Sequence, residues 1–174
     1  GTYGPFGSGS AARRVWAFNL GNRANLPGWP VTAHGRVMQQ PAVGDIDGDG
    51  RREVVVGTET GYVQAFEHNG AQKWITCNAS IPPGGCNGNA VGRGGVVIAD
   101  VDSDGVQEVV STLAQYLRVY DGRNKTMEAE YRLEGGSGNL HPPSVAAIGE
   151  LQGRAVIVQA ATFRVDASGQ PAPG

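Results

Sequence analysis

Short runs of β-branched and aromatic residues, each closed by a turn signal, recur along the chain in a fixed order. Pro41-Ala42-Val43-Gly44 is followed, after an acidic stretch, by Glu53-Val54-Val55-Val56-Gly57 and then by Gly61-Tyr62-Val63-Gln64-Ala65-Phe66. The order returns as Val96-Val97-Ile98-Ala99, Glu108-Val109-Val110-Ser111 and Tyr116-Leu117-Arg118-Val119-Tyr120-Asp121-Gly122. A further strand is expected near Gln72–Ile75 and again near Glu128–Arg132. The pattern therefore predicts an all-β chain built from a repeated four-strand unit.

Between the first two strands of each unit lies an acidic loop. One reads Asp45-Ile46-Asp47-Gly48-Asp49-Gly50-Arg51-Arg52-Glu53, the other Asp100-Val101-Asp102-Ser103-Asp104-Gly105-Val106-Gln107-Glu108. Both place carboxylates at positions 1, 3, 5 and 9 and Gly at position 6. Crowding carboxylates is costly unless a cation sits among them. Alternating positions let one tight loop wrap its oxygens around a hard ion, and Gly lets the backbone turn sharply. Flexible all-oxygen coordination suits Ca²⁺, so two Ca²⁺ sites are expected. EF-hand and dockerin loops need an acidic ligand at position 12 and a helix beyond it; here position 12 is Val56 or Ser111, and β-formers follow.

The two loops begin 55 residues apart, at 45 and 100. A third copy runs from Ser144-Val145-Ala146-Ala147-Ile148-Gly149-Glu150-Leu151 into Gly153-Arg154-Ala155-Val156-Ile157-Val158. Its acidic loop has collapsed to Glu150-Leu151-Gln152-Gly153, and no ion is expected there. The chain ends also match. Val15–Leu20 through Leu26-Pro27-Gly28-Trp29-Pro30 reads as the last two strands of an earlier repeat, and Phe163–Asp166 through Pro171–Gly174 as the same region cut short. The chain thus divides into a flexible Gly-rich segment over 1–11, outer strands of a preceding blade over 12–31, blades with calcium loops over 41–76 and 96–133, and a degenerate blade over 144–174. Four strands per period of about 50 residues is the signature of a β-propeller blade. Roughly three blades do not close a ring of the usual four to eight, so the ring is expected to be completed by more chain or by further copies.

At these residues the chain resembles the FG-GAP/VCBS repeat family, which includes integrin α-subunit propellers and many secreted bacterial proteins. The likeness is strongest at the two Asp-x-Asp-x-Asp-Gly-x-x-Glu loops and extends loosely over residues 12–174; Leu26-Pro27-Gly28-Trp29-Pro30 is similar to the linker between blades of bacterial members. The resemblance implies a propeller whose acidic loops hold Ca²⁺ on one face of the disc. It implies side-chain ligands Asp45, Asp47, Asp49 and Glu53 with the Arg51 carbonyl, and Asp100, Asp102, Asp104 and Glu108 with the Val106 carbonyl. The ion would act as a structural staple, remote from the family's usual ligand-binding face.

Composition refines this picture. The 174 residues suffice for one real core, and 28 glycines fit a chain of many turns. The net charge of −2 hides an asymmetry: the two loops hold 8 of the 16 acidic residues, leaving 14 bases against 8 acids elsewhere. Two Ca²⁺ ions would bring the total to +2, too mild and too scattered to argue for nucleic acid. No apolar run reaches membrane-spanning length and no signal peptide is visible; a chain beginning at Gly1 reads as a processed form or as a piece of something longer. Cys77 and Cys86 lie too far from other soft ligands for zinc, and a disulfide across their short loop is favoured over two unpaired thiols. That bridge would stabilise by roughly 2–3 kcal/mol and imply an oxidising compartment. Asn78-Ala79-Ser80 and Asn124-Lys125-Thr126 fit the glycosylation sequon.

No nucleophile elbow or phosphate-binding loop is present: Gly135-Gly136-Ser137-Gly138 lacks the spacing, and Gly92-Arg93-Gly94-Gly95 is only a partial fingerprint. His34, His68 and His141 read as solvated turn residues, and Trp16, Trp29 and Trp74 as packing between strands or blades. The chain is therefore expected to be non-enzymatic: an extracellular propeller module for adhesion, surface structure or self-assembly, with a filament subunit as one form. The alternatives are a lectin-like carbohydrate-binding module or a fragment of a polysaccharide lyase. Expected partners are a protein or copies of the chain itself, with glycans as an option, and neither nucleic acid nor membrane insertion. Binding would use the long links Gly28–Pro41, Thr76–Gly95 and Leu133–Ser144.

Overall fold

The structure is a computed structural model that describes residues 13–37, 39–77, 95–113, 116–132, 146–151 and 154–158. Every described strand pairing is antiparallel and the described residues contain no helix. A short pair, β1 (Arg14–Val15) with β2 (Val31–Thr32), comes first. Two four-stranded sheets follow in simple up-and-down order. One is β3 (Ala42–Gly44), β4 (Glu53–Gly57), β5 (Tyr62–Phe66) and β6 (Gln72–Cys77). The other is β7 (Val96–Ala99), β8 (Glu108–Leu113), β9 (Tyr116–Asp121) and β10 (Met127–Arg132). A last hairpin joins β11 (Ala147–Leu151) to β12 (Arg154–Val158). The first strands converge, with β7 lying against both β3 and β11. Among the described residues these are β-propeller blades that do not close into a ring.

Strand chemistry explains the stacking. Side chains alternate between the faces of a strand, so a sheet covered on both faces needs apolar residues at consecutive positions. In β4, Val55 joins a core with Ile46, Val63, Ala65, Trp74, Val96, Val109 and Tyr120, between the two four-stranded sheets. Its neighbour Val56 enters a different core with Val15, Trp29, Val31 and Phe66, under the first hairpin. In β8, Val109 faces the first of these cores, whereas Val110 packs with Leu117, Val119 and Ala146 toward β11 and β12. Each of these strands thus gives its glutamate to the acidic loop and adjacent valines to the blades on either side.

Trp74 is 6% exposed and its indole N–H donates to the Gly122 carbonyl at 2.7 Å, tying β6 to the turn after β9. Gly122 admits no side chain there, because a Cβ would fall onto the Gln107 carbonyl oxygen and onto Ile46. Gly122→Ala is expected to destabilise the chain by about 1–3 kcal/mol, the usual cost of overpacking a core, measured by urea denaturation.

Two expectations change at the start of the chain. The regular ladder falls at Arg14–Val15 with Val31–Thr32, at the open end of the hairpin expected over Val15–Leu20 and Leu26–Pro30. Beyond these pairs the hairpin continues through the Phe18–Asn25 bridge and through hydrogen bonds from the Leu26 amide to the Ala17 carbonyl and from the Asn19 amide to the Ala24 carbonyl, and Asn19 and Asn22 cap its turn by accepting from the Gly21 and Ala24 amides. Trp16 does not pack between blades: it is 50% exposed, with its ring stacked parallel to that of Phe18 at 6.1 Å. Trp29 and Trp74 are buried as expected. Segment 1–11, Cys86, Asn78, His141 and most of the long links lie outside the described residues. Among the described residues no helix is long and apolar enough to cross a membrane.

Candidate metal centres

Each acidic loop spans the gap between the first and second strands of its sheet, from 45 to 52 and from 100 to 107. An apolar residue at position 2 anchors it: Ile46 is fully buried in the core between the sheets, and Val101 packs on the core toward β11 and β12. The anchor's amide is held by the carboxylate at position 9. Ile46 N–H donates to Glu53 Oε2 at 3.0 Å, and Val101 N–H to Glu108 Oε2 at 2.7 Å.

The rest of each loop is wrapped by its own carboxylates in one shared pattern. Asp45 accepts from the Gly48 and Gly50 amides at 2.8 and 2.9 Å, as Asp100 does from Ser103 and Gly105 at 2.7 and 3.1 Å. Asp47 accepts from the Asp49 amide and Asp102 from the Asp104 amide, both at 3.1 Å. Asp49 holds the Arg51 amide and Asp104 the Val106 amide, both at 2.7 Å. Positions 4 and 6 turn through positive φ, at 76° and 83° for Gly48 and Gly50 and at 68° and 87° for Ser103 and Gly105. Gly50 and Gly105 answer the glycine requirement directly, whereas Ser103 adopts the same conformation with a side chain.

This wrapping gathers Asp45, Asp47 and Glu53 so that one oxygen of each lies within 4.8 Å of the others, and it gathers Asp100, Asp102 and Glu108 likewise. Asp49 and Asp104 are exposed and cap the turn at position 7, where Arg51 and Val106 stand. Both clusters could hold a metal ion. The first also shows a need for one: Glu53 is fully buried and its Oε1 has no hydrogen-bond partner. A buried carboxylate oxygen left unpaired is expensive, and a cation beside Asp45 and Asp47 is the partner that fits. The third copy has no such loop, because Leu151 pairs with Arg154 and only residues 152–153 separate the strands.

Burial pushes the Glu53 carboxyl above its ordinary range, and repulsion from Asp47 adds to this against the opposing Ile46 N–H. Burial likewise raises Glu108, with Asp102 and Glu128 adding to the effect. The hydrogen bond from Lys73 holds Asp47 low, and that from Arg123 holds Asp121 low. The raised pair penalises the ion-free fold as pH climbs through its shifted range; the lowered pair contributes stability that is lost as pH falls through its own folded range. The ion-free chain is expected to be most stable in mild acid, between the two ranges. Glu53→Gln should raise the ion-free melting temperature at neutral pH and remove the first loop's response to Ca²⁺. A scan of melting temperature against pH for both chains, with and without the ion, checks this.

Sequence reasoning singled out the carboxylates but missed Ile46 and Val101, whose apolar character at position 2 was visible. It also missed Lys73, whose Nζ pairs with Asp47 Oδ2 at 2.5 Å and with Glu67 Oε1 at 3.0 Å. His68 lies beside the first loop, with Nε2 at 3.3 Å from the Arg51 guanidinium, and His34 packs against Tyr62.

Two loops of one geometry, each opening a Glu-Val-Val strand, agree with the comparison of the sequence against family models. Residues 45–111 match the FG-GAP-like repeat. The match begins on the first residue of the first loop and ends inside β8, so it takes in both candidate centres. A search of curated proteins found no match. The matched stretch runs from the first acidic loop through β4, β5, β6 and β7 and the second loop into β8.

Proposed function

We propose that the chain is a calcium-stapled stretch of β-propeller that works outside the cell as a non-enzymatic module for adhesion, surface structure or self-assembly. The observation that carries the reading is the buried Glu53, grouped with the Asp45 and Asp47 carboxylates and with its Oε1 unpartnered, within an FG-GAP-like repeat. The ligands are Asp45, Asp47, Asp49, Glu53 and the Arg51 carbonyl in one loop, and Asp100, Asp102, Asp104, Glu108 and the Val106 carbonyl in the other. Ca²⁺ supplies charge neutralisation there; the chain supplies loops already wrapped and anchored by Ile46 and Val101. Cys77 at the end of β6 is not a free thiol, which supports a disulfide to Cys86 and an oxidising compartment. Asn124 stands in an exposed turn, accessible to glycosylation.

Calorimetric titration tests the reading. Two Ca²⁺ ions per chain and no turnover of acidic polysaccharides by the loaded protein support it. A chain that takes up no Ca²⁺, or one that degrades such polysaccharides, contradicts it.

A second reading rests on the exposed pair Trp16 and Phe18, whose rings lie within 2° of parallel and carry Arg14 at 6.0 Å from the Trp16 ring. Flat paired aromatics suit the apolar face of a sugar ring. Binding on a glycan array that disappears in Trp16→Ala supports a lectin-like module.

A further inference from the structure

The two loops share one wrapping but differ in what the fourth strand of each sheet aims at them. Between β5 and β6 the register runs from Phe66 opposite Gln72 to Ala65 opposite Trp74, so Lys73 is an extra residue in the ladder. Between β9 and β10 it runs from Tyr120 opposite Met127 to Val119 opposite Ala129, so Glu128 is the extra residue. Lys73 and Glu128 therefore occupy one site in two copies, 55 residues apart like the loops themselves. A bulge re-aims the side chain it inserts. Lys73 is aimed at position 3 of the first loop, with Nζ 2.5 Å from Asp47 Oδ2 and its side chain only 13% exposed. Glu128 lines one cleft with Asp102, which is position 3 of the second loop.

The loop sequences differ in the same direction. Positions 7 and 8 are Arg51 and Arg52 in the first loop but Val106 and Gln107 in the second. The first cluster thus has an ammonium already seated on one of its carboxylates and two guanidinium groups along its loop. The second has an additional carboxylate and no base at those positions; its nearest guanidinium, Arg123, is paired with Asp121, as Lys73 is shared with Glu67 in the first.

We propose, building on the reading of both loops as Ca²⁺ sites, that Lys73 and Glu128 grade the two sites. The Asp100–Glu108 loop fills first. The Asp45–Glu53 loop keeps Lys73 as an internal counter-cation and fills second, when Ca²⁺ competes with the ammonium for Asp47. An opposite charge already bound to a ligand must be displaced or screened, whereas an added carboxylate strengthens the field on a divalent ion. The first loop would accordingly stay tied to β6 at Ca²⁺ concentrations that leave it empty, and the second would depend on the ion for its order.

Calorimetric titration of the full chain with Ca²⁺ tests the proposal. The wild-type chain should show two steps separated by about tenfold or more in affinity, and Glu53→Gln should remove the weaker one. Lys73→Met and Lys73→Gln should each tighten only the weaker step, by about three- to tenfold. The double exchange Lys73→Glu with Glu128→Lys should reverse which loop fills first, read from the step that Glu53→Gln removes. Two equal steps in the wild-type chain, or a weaker step unmoved by both neutral Lys73 variants while far-UV circular dichroism shows them folded, would overturn the grading and leave the calcium reading intact. No uptake of Ca²⁺ by any of these chains would overturn both.

Discussion

Chelating Ca²⁺ with EGTA is expected to lower the melting temperature of this chain by about 10–20 °C. A ligand that binds only the native state stabilises by about 2.7 kcal/mol at a hundredfold excess over its dissociation constant. Two such sites contribute about 5 kcal/mol, and each kcal/mol moves the midpoint of a chain of this size by about 2–4 °C. The structural ground is the position of the loops. Each joins the first two strands of a sheet, each carries a buried glutamate, and each presses its second residue into a core between neighbouring sheets. Losing the ion leaves four carboxylates per loop to repel one another, with Lys73 the exception that moderates the first loop. The effect should fade in acid as Glu53 and Glu108, raised by burial, take up protons. Differential scanning calorimetry with and without the chelator measures it, and a midpoint indifferent to Ca²⁺ at neutral pH would show that the ion does not staple these strands.

Trp74→Ala should cost about 3–5 kcal/mol, the largest effect expected of one substitution. The indole fills the core between the two four-stranded sheets, and its N–H holds the Gly122 carbonyl across that junction. Trp74→Phe separates the contributions: the ring remains, the carbonyl loses its donor, and the cost should fall to about 1–3 kcal/mol. Trp16→Ala is the control. Its side chain is half exposed and should change stability by no more than about 0.5 kcal/mol. Urea denaturation of the three variants would rank them; an ordering with Trp16 above Trp74 contradicts the packing described.

The strand pattern and the acidic loops were legible because both are short-range. A Glu-Val-Val strand shows its two-sided burial in three adjacent letters, and the spacing of the loop carboxylates fixes which oxygens can meet. The collapsed third loop was equally legible, since Glu150-Leu151-Gln152-Gly153 is too short to wrap an ion. What stayed hidden depends on register and on neighbours. Nothing local marks Lys73 or Glu128 as the extra residue of a bulge, although aligning the repeats sets one opposite the other. Nor does anything local distinguish Trp74, enclosed by the second sheet, from Trp16, which follows β1 and is half exposed although its neighbour Val15 faces the core. The first hairpin was legible as two strands, but its regular ladder begins one residue earlier and ends two residues later than expected, at Arg14 and Thr32.

A site-resolved Ca²⁺ titration followed by amide NMR tests whether both acidic loops hold Ca²⁺. Ions held by both loops should shift the amide signals of Gly48, Gly50 and Gly105, whose N–H groups bond to or flank the ligand carboxylates, while those of Ile148 and Ile157 in the loop-free third copy stay in place. Signals of both acidic loops that remain unmoved up to millimolar Ca²⁺, where even extracellular modules bind, would contradict it.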